Sequence, residues 1–278
     1  MYKAVGHIKI SQIGIINLLM MLLMASCSPQ RKLARQYVTH HKGMGILIVP
    51  LYELYKDNLT ISYNDTVKFS PADFDSIAWF QSVYIQHVSD SIFLTRFTNS
   101  LINELDRQGF DVYVGDSSDA FVSFAHPRWL VQIAQLQLNE KHIVNTYEVY
   151  SENMEGIETD VASLRMNMVS LSSWVEARPA DTGNMEELFL EASIMDDVKC
   201  GDEFRLNEGD YGLQHNRDSI EMDDVYKLAD KSGRKYAGLL FNHFMNDYIC
   251  TNLPAGIINR KYFYYNPKSN SLKSGLTE

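Results

Sequence analysis

The sequence predicts an α+β fold, in which helices pack on one face of a mixed, mainly antiparallel sheet within a single domain. Three observations lead to this prediction. A strand, a helix and a second strand follow one another over residues 45–114. Three segments of alternating hydrophobicity then lie between residues 130 and 194. Finally, apolar residues recur at helical spacing over residues 220–249, which predicts a long last helix.

The first unit is the strand–helix–strand segment. Residues 45–50, Gly-Ile-Leu-Ile-Val-Pro, are typical of a short buried strand that ends at a proline. Ser89 and Asp90 predict the start of a helix, apolar side chains then recur at helical spacing, and Gly109 predicts its end. Residues 110–114 alternate as a strand, so the helix is expected to pack on a face of the sheet.

The middle of the chain changes to a period of two residues. Apolar and polar side chains alternate in three segments, residues 130–138, 164–174 and 188–194. Such segments predict successive antiparallel strands with one buried face and one solvated face. Residues 151–161 and 178–186 carry turn residues and are predicted to be the linkers between these strands.

The last part of the chain is predicted to be a loop followed by a helix. Residues 200–218 are polar and contain glycine, which is typical of a loop. Residues 220–249 show the strongest helical pattern, and Pro254 ends it. Gly233 predicts a bend or break there, because glycine inside a helix costs up to about 1 kcal/mol relative to alanine. The aromatic residues 262–265 predict a last strand or an arm, which could also form a sugar- or partner-binding surface.

The N-terminus has the pattern of an export signal. Lys3 and Lys9 precede residues 13–25, which are apolar apart from Asn17. A helix of this length spans about 20 Å, whereas the hydrocarbon core of a bilayer is about 30 Å thick. The segment therefore fits the apolar region of a secretory signal better than a membrane anchor.

The residues that close this segment, Met24-Ala25-Ser26-Cys27, resemble the lipobox of bacterial lipoprotein precursors. The resemblance implies a diacylglyceryl group on the Cys27 thiol, cleavage before Cys27 and acylation of the new amino group. Several acyl chains would hold the protein stably on the lipid bilayer. A plain signal peptide with a coincidental cysteine is the alternative. By the same resemblance, Ser28 indicates sorting to the outer membrane, and we expect the domain to face the periplasm.

Domain boundaries and charge follow from this interpretation. We expect a signal peptide over residues 1–26, the lipidated cysteine and a tether over residues 27–44, a single domain over residues 45–265 and a polar tail over residues 266–278. The chain holds 25 basic and 35 acidic residues, and removal of the signal, with two lysines and no acid, leaves a net charge of −12. An acidic chain is a poor candidate for nucleic-acid binding, so we expect no nucleic-acid partner.

Local catalytic motifs are absent from the sequence. It contains no phosphate loop, no dinucleotide glycine fingerprint, no Gly-x-Ser-x-Gly elbow and no His-Glu-x-x-His pair. Acidic residues cluster at 196–197, 202–203 and 221–224 without the spacing of a calcium loop. We therefore predict no catalytic residue, no metal ligand and no cofactor.

The cysteines and histidines leave alternatives open. Cys200 and Cys250 could form a disulfide in an oxidising periplasm, closing a loop of about 50 residues and contributing roughly 4 kcal/mol in the loop-entropy model. A buried, unpaired Cys250 is the equal alternative. His40 and His41 are predicted to lie in a solvated linker, and His243 is predicted to be a partly buried histidine on an apolar helix face and not a ligand.

The order of the elements resembles the periplasmic α/β lipoprotein domains of the curli-assembly, penicillin-binding-protein-activator and TolB N-terminal type. The resemblance rests on residues 46–50, 90–114 and 132–138, covers residues 45–250 and includes no diagnostic motif. It does not explain residues 51–87, where we expect a loop, a short strand and a helix near residues 73–86. Those families imply a non-catalytic role in contact with other envelope proteins.

Three functional hypotheses follow. The first is a membrane-anchored periplasmic lipoprotein, a non-catalytic envelope assembly or accessory protein that binds another envelope protein. The second is an oligomeric subunit of a transport or secretion complex, a homo-oligomer formed through the sheet edge. The third is a periplasmic hydrolase whose active site is assembled from distant residues, which a deep pocket with paired carboxylates or clustered histidines would favour.

Overall fold

The computed structural model describes residues 28–60, 79–125, 127–153, 156–181, 185–198, 203–207, 210–214, 217–257 and 261–276. These residues form two compact units. The larger unit runs from Gly43 to Ala237, and the smaller unit combines the described residues up to Lys42 with those from Gly238 onward.

The chain alternates helices with strands in the order that the sequence predicts for an α+β protein. The helices are α1 (Pro29–His40), α2 (Asp90–Gln108), α3 (Ser118–Val122) and α4 (Met222–Asn252), with 3₁₀ turns at Ile85–His87 and Gly115–Ser117. The main strands are β1 (Gly45–Val49), β2 (Tyr55–Asn58), β3 (Asp111–Val114), β4 (Arg128–Asn153), β5 (Gly156–Pro179) and β6 (Glu186–Met195).

The larger unit is built on a six-stranded sheet in the order β3-β1-β4-β5-β6, with β2 paired to β4 further along that strand. Strand β1 runs parallel to β3 and to β4, and β2 runs parallel to β4. The β4–β5 and β5–β6 pairs are antiparallel and hold most of the paired residues. The α+β class and the mixed, mainly antiparallel sheet predicted from the sequence are therefore confirmed.

Helix α2 begins and ends where the sequence predicts. Ser89 is the N-cap residue, and Asp90 places an acidic side chain in the first turn, where the helix dipole stabilises it. Gly109 adopts φ 97°, a left-handed conformation that glycine adopts without strain, and its N–H donates to the carbonyls of Leu105 and Asp106. The buried side of the helix consists of apolar residues at helical spacing, namely Phe93, Leu94, Phe97, Leu101 and Leu105.

Helix α4 continues through Gly233, so the predicted break at that residue is wrong, while the alternative of a bend stays a prediction. A Cβ atom added to Gly233 would lie 2.4 Å from the carbonyl oxygen of Phe97 and 3.0 Å from the amide nitrogen of Leu101. The glycine therefore allows α4 to lie directly against the backbone of α2. Near it, Tyr236 is fully buried and its hydroxyl donates to the carbonyl of Ser173 on β5 at 2.5 Å. The two long helices and the sheet share one core here.

Strands β4 and β5 extend beyond their neighbours. Strand β2 pairs with residues 137–140 and β6 pairs with residues 168–177. Beyond these points, residues 142–153 and 156–167 pair with each other and, within the part of the chain that the structure describes, with no further strand. We call this segment the ribbon, and it is roughly 40 Å long at 3.3–3.4 Å per residue.

Two predicted connections are wrong because strands replace them. Most of the linker predicted over residues 151–161 belongs to the ribbon, since β4 ends at Asn153 and β5 begins at Gly156. The loop predicted over residues 200–218 contains short antiparallel pairs. Strand β7 (Asp197–Val198) pairs with β10 (Arg217–Asp218), and β8 (Glu203–Asn207) pairs with β9 (Asp210–Gln214). Of the helix predicted near residues 73–86, residues 73–78 lie outside the described residues. Residues 79–80 are helical, but residues 81–84 form a turn that leads into the 3₁₀ turn at Ile85–His87, so the prediction of a helix is wrong there.

The smaller unit contains α1, the end of α4 and a hairpin of β11 (Lys261–Asn266) and β12 (Ser271–Leu276). The buried ring of Tyr37 contacts Phe241 and Tyr248, with ring centroids 5.5 Å and 5.6 Å away. Asn246 holds the hairpin, because its amide nitrogen donates to the carbonyl of Phe263 at 2.9 Å and its oxygen accepts from the Phe263 amide at 2.8 Å. The buried side-chain amide of α4 thus makes the two backbone hydrogen bonds that a neighbouring strand would otherwise make.

The tether predicted over residues 27–44 is wrong where α1 forms. The Ser28 hydroxyl accepts from the amide of Arg31 at 3.3 Å, and Pro29 occupies the first turn, where its missing N–H is not needed. Ala34 and Tyr37 are buried, so the helix is part of the folded unit. The polar tail predicted over residues 266–278 is also wrong, since much of it forms β12.

Candidate functional site

The predicted lipidation and disulfide residues fall largely outside the described part of the chain. Cys27 and Cys200 lie among residues that the structure does not describe, so the lipid anchor and the Cys200–Cys250 disulfide stay predictions. Cys250 lies near the end of α4 and is exposed. The alternative of a buried Cys250 is therefore wrong.

Of the three histidines considered in the sequence, two are buried in the folded chain and one is exposed. The prediction that His41 lies in a solvated linker is wrong, because His41 is buried, stacks on Tyr37 and places Nδ1 3.0 Å from the carbonyl oxygen of Tyr37. His40 is exposed, as predicted for both residues. His243 is buried beside Phe244, as predicted. Within the described residues, no group of three or more His, Cys, Asp or Glu side chains could hold a metal ion.

Glu140 is a carboxylate that sequence analysis missed, and it lies on β4 with 1% of its surface exposed. Its Oε1 accepts from the amide of Val83 at 2.7 Å, and its Oε2 accepts from the amides of Tyr84 at 2.9 Å and Ile85 at 3.2 Å. Hydrogen bonds to charged groups are the stronger ones, so this carboxylate fixes the 3₁₀ turn at Ile85–His87 on the sheet. Its geometry is that of a structural anchor.

Asp196 is a second buried carboxylate of the larger unit, with 2% of its surface exposed. One carboxylate oxygen accepts from the amide of Asn167 at 2.9 Å, and the other accepts from the amide of Ile220 at 3.1 Å. The Tyr84 hydroxyl lies 3.5 Å from the side-chain nitrogen of Asn167. Burial first, and then the nearby charge of Asp196, raise the pKa of Tyr84. Like Glu140, this carboxylate holds backbone amides in place. It lies just after the end of β6, and one of the amides that it binds lies just before the start of α4.

The candidate functional site is the solvent face of β6, which we call the edge surface. It consists of the exposed side chains Glu187, Phe189, Glu191 and Met195 together with the half-buried Trp174 of β5. The exposed fraction of Phe189 is 53%, and its ring centroid lies 5.0 Å from that of Trp174. Leu190 and its alternate neighbours point to the buried face, so strand periodicity places the exposed set on the opposite face.

The backbone of β6 is available as well as its side chains. Among the described residues, β6 pairs with β5 along one edge and with no strand along the other. An edge strand of this kind presents a row of N–H and C=O groups that an added strand can bind. Proteins normally protect such edges with charges, prolines or bulges. Here Glu187 and Glu191 supply charge, but Phe189 between them is apolar and exposed.

The face of β4 near Trp174 is polar and internally hydrogen-bonded. The Gln135 side chain donates to Gln137 at 3.1 Å, and the Gln137 side chain donates to Asn139 at 3.0 Å. Gln135 lies directly opposite Trp174 across the β4–β5 pair. The edge surface therefore has an apolar pair bordered by an ordered row of amides, which is the composition of a contact surface with a polar rim.

This surface was not predicted from the sequence, although a signal for it was present. Apolar and polar residues alternate over 186–195. Phe189 falls at one of the polar positions, on the same side of the strand as Glu187 and Glu191. An aromatic residue out of phase with the buried side of its strand predicts an exposed ring. The free edge could not be seen in the same way, because the order of strands in a sheet is a long-range property.

Comparisons with known proteins do not assign the chain to a family. No model of a known protein family matches it, and no curated protein matches it either. The search for helices long and apolar enough to cross a membrane finds none among the residues that the structure describes.

Proposed function

We propose that the protein is a lipid-anchored lipoprotein of the outer membrane, whose folded part faces the periplasm and acts without catalysis by binding another envelope protein. The export signal and the lipobox resemblance at Cys27 support the location. The observation that carries the binding role is the edge surface, where the exposed Phe189 of the edge strand β6 contacts the half-buried Trp174 of β5.

The chemistry of the edge surface indicates what kind of segment it binds. An extended segment of the partner adds to β6 through backbone hydrogen bonds. The two exposed carboxylates, Glu187 and Glu191, select lysine or arginine at two positions of that segment four residues apart. The ring of Phe189 between them provides apolar contact area. The partner segment is therefore a strand with the pattern basic-x-apolar-x-basic, whose three named side chains lie on one face.

The second hypothesis, a homo-oligomeric subunit of a transport or secretion complex, is favoured by the ribbon. A two-stranded ribbon is marginally stable in water by itself, and three or more strands are normally needed. Val144, on the ribbon, is 61% exposed. A neighbouring copy that adds a strand to the ribbon would stabilise it and cover this side chain. Nothing in the geometry of Glu140 or Asp196 favours the hydrolase hypothesis, since both carboxylates bind backbone amides.

Site-specific photocrosslinking tests the binding role. A benzophenone amino acid replaces Phe189 in one variant and Val122 in a control variant, because Val122 is another exposed apolar residue (69%) of the larger unit and lies away from β6 on α3. We expect irradiation of intact cells to give one adduct of defined mass from position 189 and none from position 122. An adduct of twice the chain mass would favour the oligomer. Equal labelling at both positions, or none at 189, would contradict the proposal.

The lipid anchor needs its own measurement. Mass spectrometry of the detergent-extracted protein should show a chain that begins at Cys27 and carries the mass of its acyl groups. A chain that still begins at Met1, or an unmodified Cys27, would overturn the proposed location. This result does not depend on the crosslinking experiment.

A further inference from the structure

The smaller unit contains a pocket of about 430 Å³ between α1 and the β11–β12 hairpin. Its wall is formed mainly by basic, hydroxyl and amide side chains, which include Arg31, Arg35, Thr39, Tyr265, Asn270 and Ser271. None of these groups is an acid. The pocket therefore has the chemistry of an anion site.

The two arginines act as a pair because of their spacing. Arg31 and Arg35 lie four residues apart on α1, which places their side chains next to each other on one face of the helix. Both are exposed. A guanidinium group is a planar donor that binds two oxygens of a phosphate at once, so two adjacent guanidinium groups suit a phosphate better than a single-point anion.

The opposite wall of the pocket is held in place by its own hydrogen bonds. The Tyr265 hydroxyl donates to the side-chain oxygen of Asn270 at 3.1 Å, and the hydroxyls of Ser269 and Ser271 lie 2.8 Å apart. Asn270 adopts φ 47°, the left-handed conformation that the hairpin turn requires and that asparagine tolerates better than most residues. This wall presents hydroxyl and amide groups toward the arginines.

The charge of the surrounding chain is strongly segregated. Residues 28–42 and 261–276 contain no Asp or Glu but seven basic residues, namely Arg31, Lys32, Arg35, Lys42, Lys261, Lys268 and Lys273. The whole chain has a net charge of −10. The two segments that form the pocket are therefore the basic exception in an acidic protein, which concentrates positive potential at this site.

The position of α1 in the chain indicates where the anion comes from. Ser28 caps the helix directly after Cys27, so Arg31 is four residues from the proposed anchor and at most about 14 Å along an extended chain. Basic residues this close to a membrane are within range of the negative surface potential of anionic lipids.

We propose that this pocket binds a phosphate group, and that the phosphate is the phosphodiester of an anionic phospholipid headgroup in the membrane that carries the protein. The phosphate chemistry rests on the pocket alone, whereas the lipid source rests on the proposed anchor at Cys27. The pocket thus gives the protein a second, headgroup-specific attachment beside its acyl chains.

Calorimetric titration of the full chain in a neutral detergent tests the proposal. The titrants are glycerophosphoglycerol, which is an anionic headgroup without acyl chains, and inorganic phosphate. We expect the headgroup to bind, and Arg31→Gln and Arg35→Gln each to weaken binding about tenfold, as loss of a charge-assisted hydrogen bond does. Lys32→Gln is the matched control. It removes the same charge from α1 but Lys32 does not line the pocket, so the affinity should change less than about twofold.

Each outcome of the titration decides a separate part of the proposal. If Lys32→Gln lowers the affinity as much as the two arginine variants do, the headgroup binds through the general positive charge of α1 and the proposed pocket is overturned. Inorganic phosphate that binds as tightly as the headgroup, with the same dependence on the arginines, would overturn the lipid source in favour of free phosphate. If neither titrant binds to a chain whose circular dichroism is native, the phosphate site is overturned. An acylated Cys27 would still support the proposed lipid anchor in that case.

Discussion

The contact between α4 and α2 at Gly233 gives the sharpest stability prediction. The substitution Gly233→Ala adds a Cβ atom 2.4 Å from the carbonyl oxygen of Phe97, whereas ordinary contacts are 3.4 Å or longer. The two helix backbones must separate by about 1 Å, and overpacking of this kind costs about 1–3 kcal/mol. Alanine regains up to about 1 kcal/mol of helix propensity. Because the obstacle is backbone, we expect the cost to exceed the gain and the free energy of unfolding to fall by about 2 kcal/mol.

The same helix offers a matched control with the opposite expected sign. Gly238 also lies inside α4, and a Cβ atom added there meets no atom within 4 Å. Gly238→Ala should therefore keep the propensity gain and raise the free energy of unfolding by about 0.5–1 kcal/mol. Urea titration followed by circular dichroism at 222 nm measures both variants. If Gly233→Ala is as stable as Gly238→Ala, α4 does not lie against the backbone of α2 as described.

Three further predictions concern buried polar groups. Glu140→Gln should lower the free energy of unfolding by about 1.5–3 kcal/mol in urea titration, because the charged acceptor of several backbone amides is lost; an unchanged midpoint would contradict this role. Burial raises the pKa of Tyr236 to about 12, so the hydroxyl stabilises the fold below pH 10 and loses this effect as the pH rises to about 12. The urea midpoint of the wild type should therefore fall more steeply over that range than that of Tyr236→Phe, and parallel curves would be the opposing result. Asn246→Ala should release the β11–β12 hairpin, since the Phe263 backbone loses both partners, and limited proteolysis should then cut within residues 261–276 before the rest of the chain; a wild-type digestion pattern would argue against this.

The elements that the sequence predicts well are those whose signals are local. Helix α2 has an N-cap residue, a periodic apolar face and a terminal glycine within about 20 residues, and all three agree. The alternating strands β4, β5 and β6 are similar, since a period of two needs only neighbouring residues. Their pairing partners follow from short connections.

The elements that the sequence does not predict depend on distant residues. Helix α1 has few apolar residues, and its buried Tyr37 packs on Phe241 more than 200 positions later. Helix propensity alone makes Gly233 look like a helix breaker. In the structure, α4 requires a residue without a side chain there, because the backbone of α2 lies against it. Tertiary packing overrides local preference in both cases. The proposed phosphate pocket is formed by α1 and a hairpin more than 200 positions later, so its arginines could not be connected to Tyr265 from sequence spacing.

The edge surface raises the question whether Phe189 is merely tolerated in solvent. A phenylalanine ring that is 53% exposed leaves roughly 100 Å² of apolar area in water, and covering that area is worth about 2.5 kcal/mol at 25 cal/mol per Å². The flanking Glu187 and Glu191 would protect a free edge by charge repulsion between copies, but they cannot recover this energy. A partner strand with basic residues opposite the two glutamates recovers it and pairs the β6 backbone in the same step. Protection alone would be served better by a third charge at position 189, so the exposed ring supports the proposal of a partner strand that buries it.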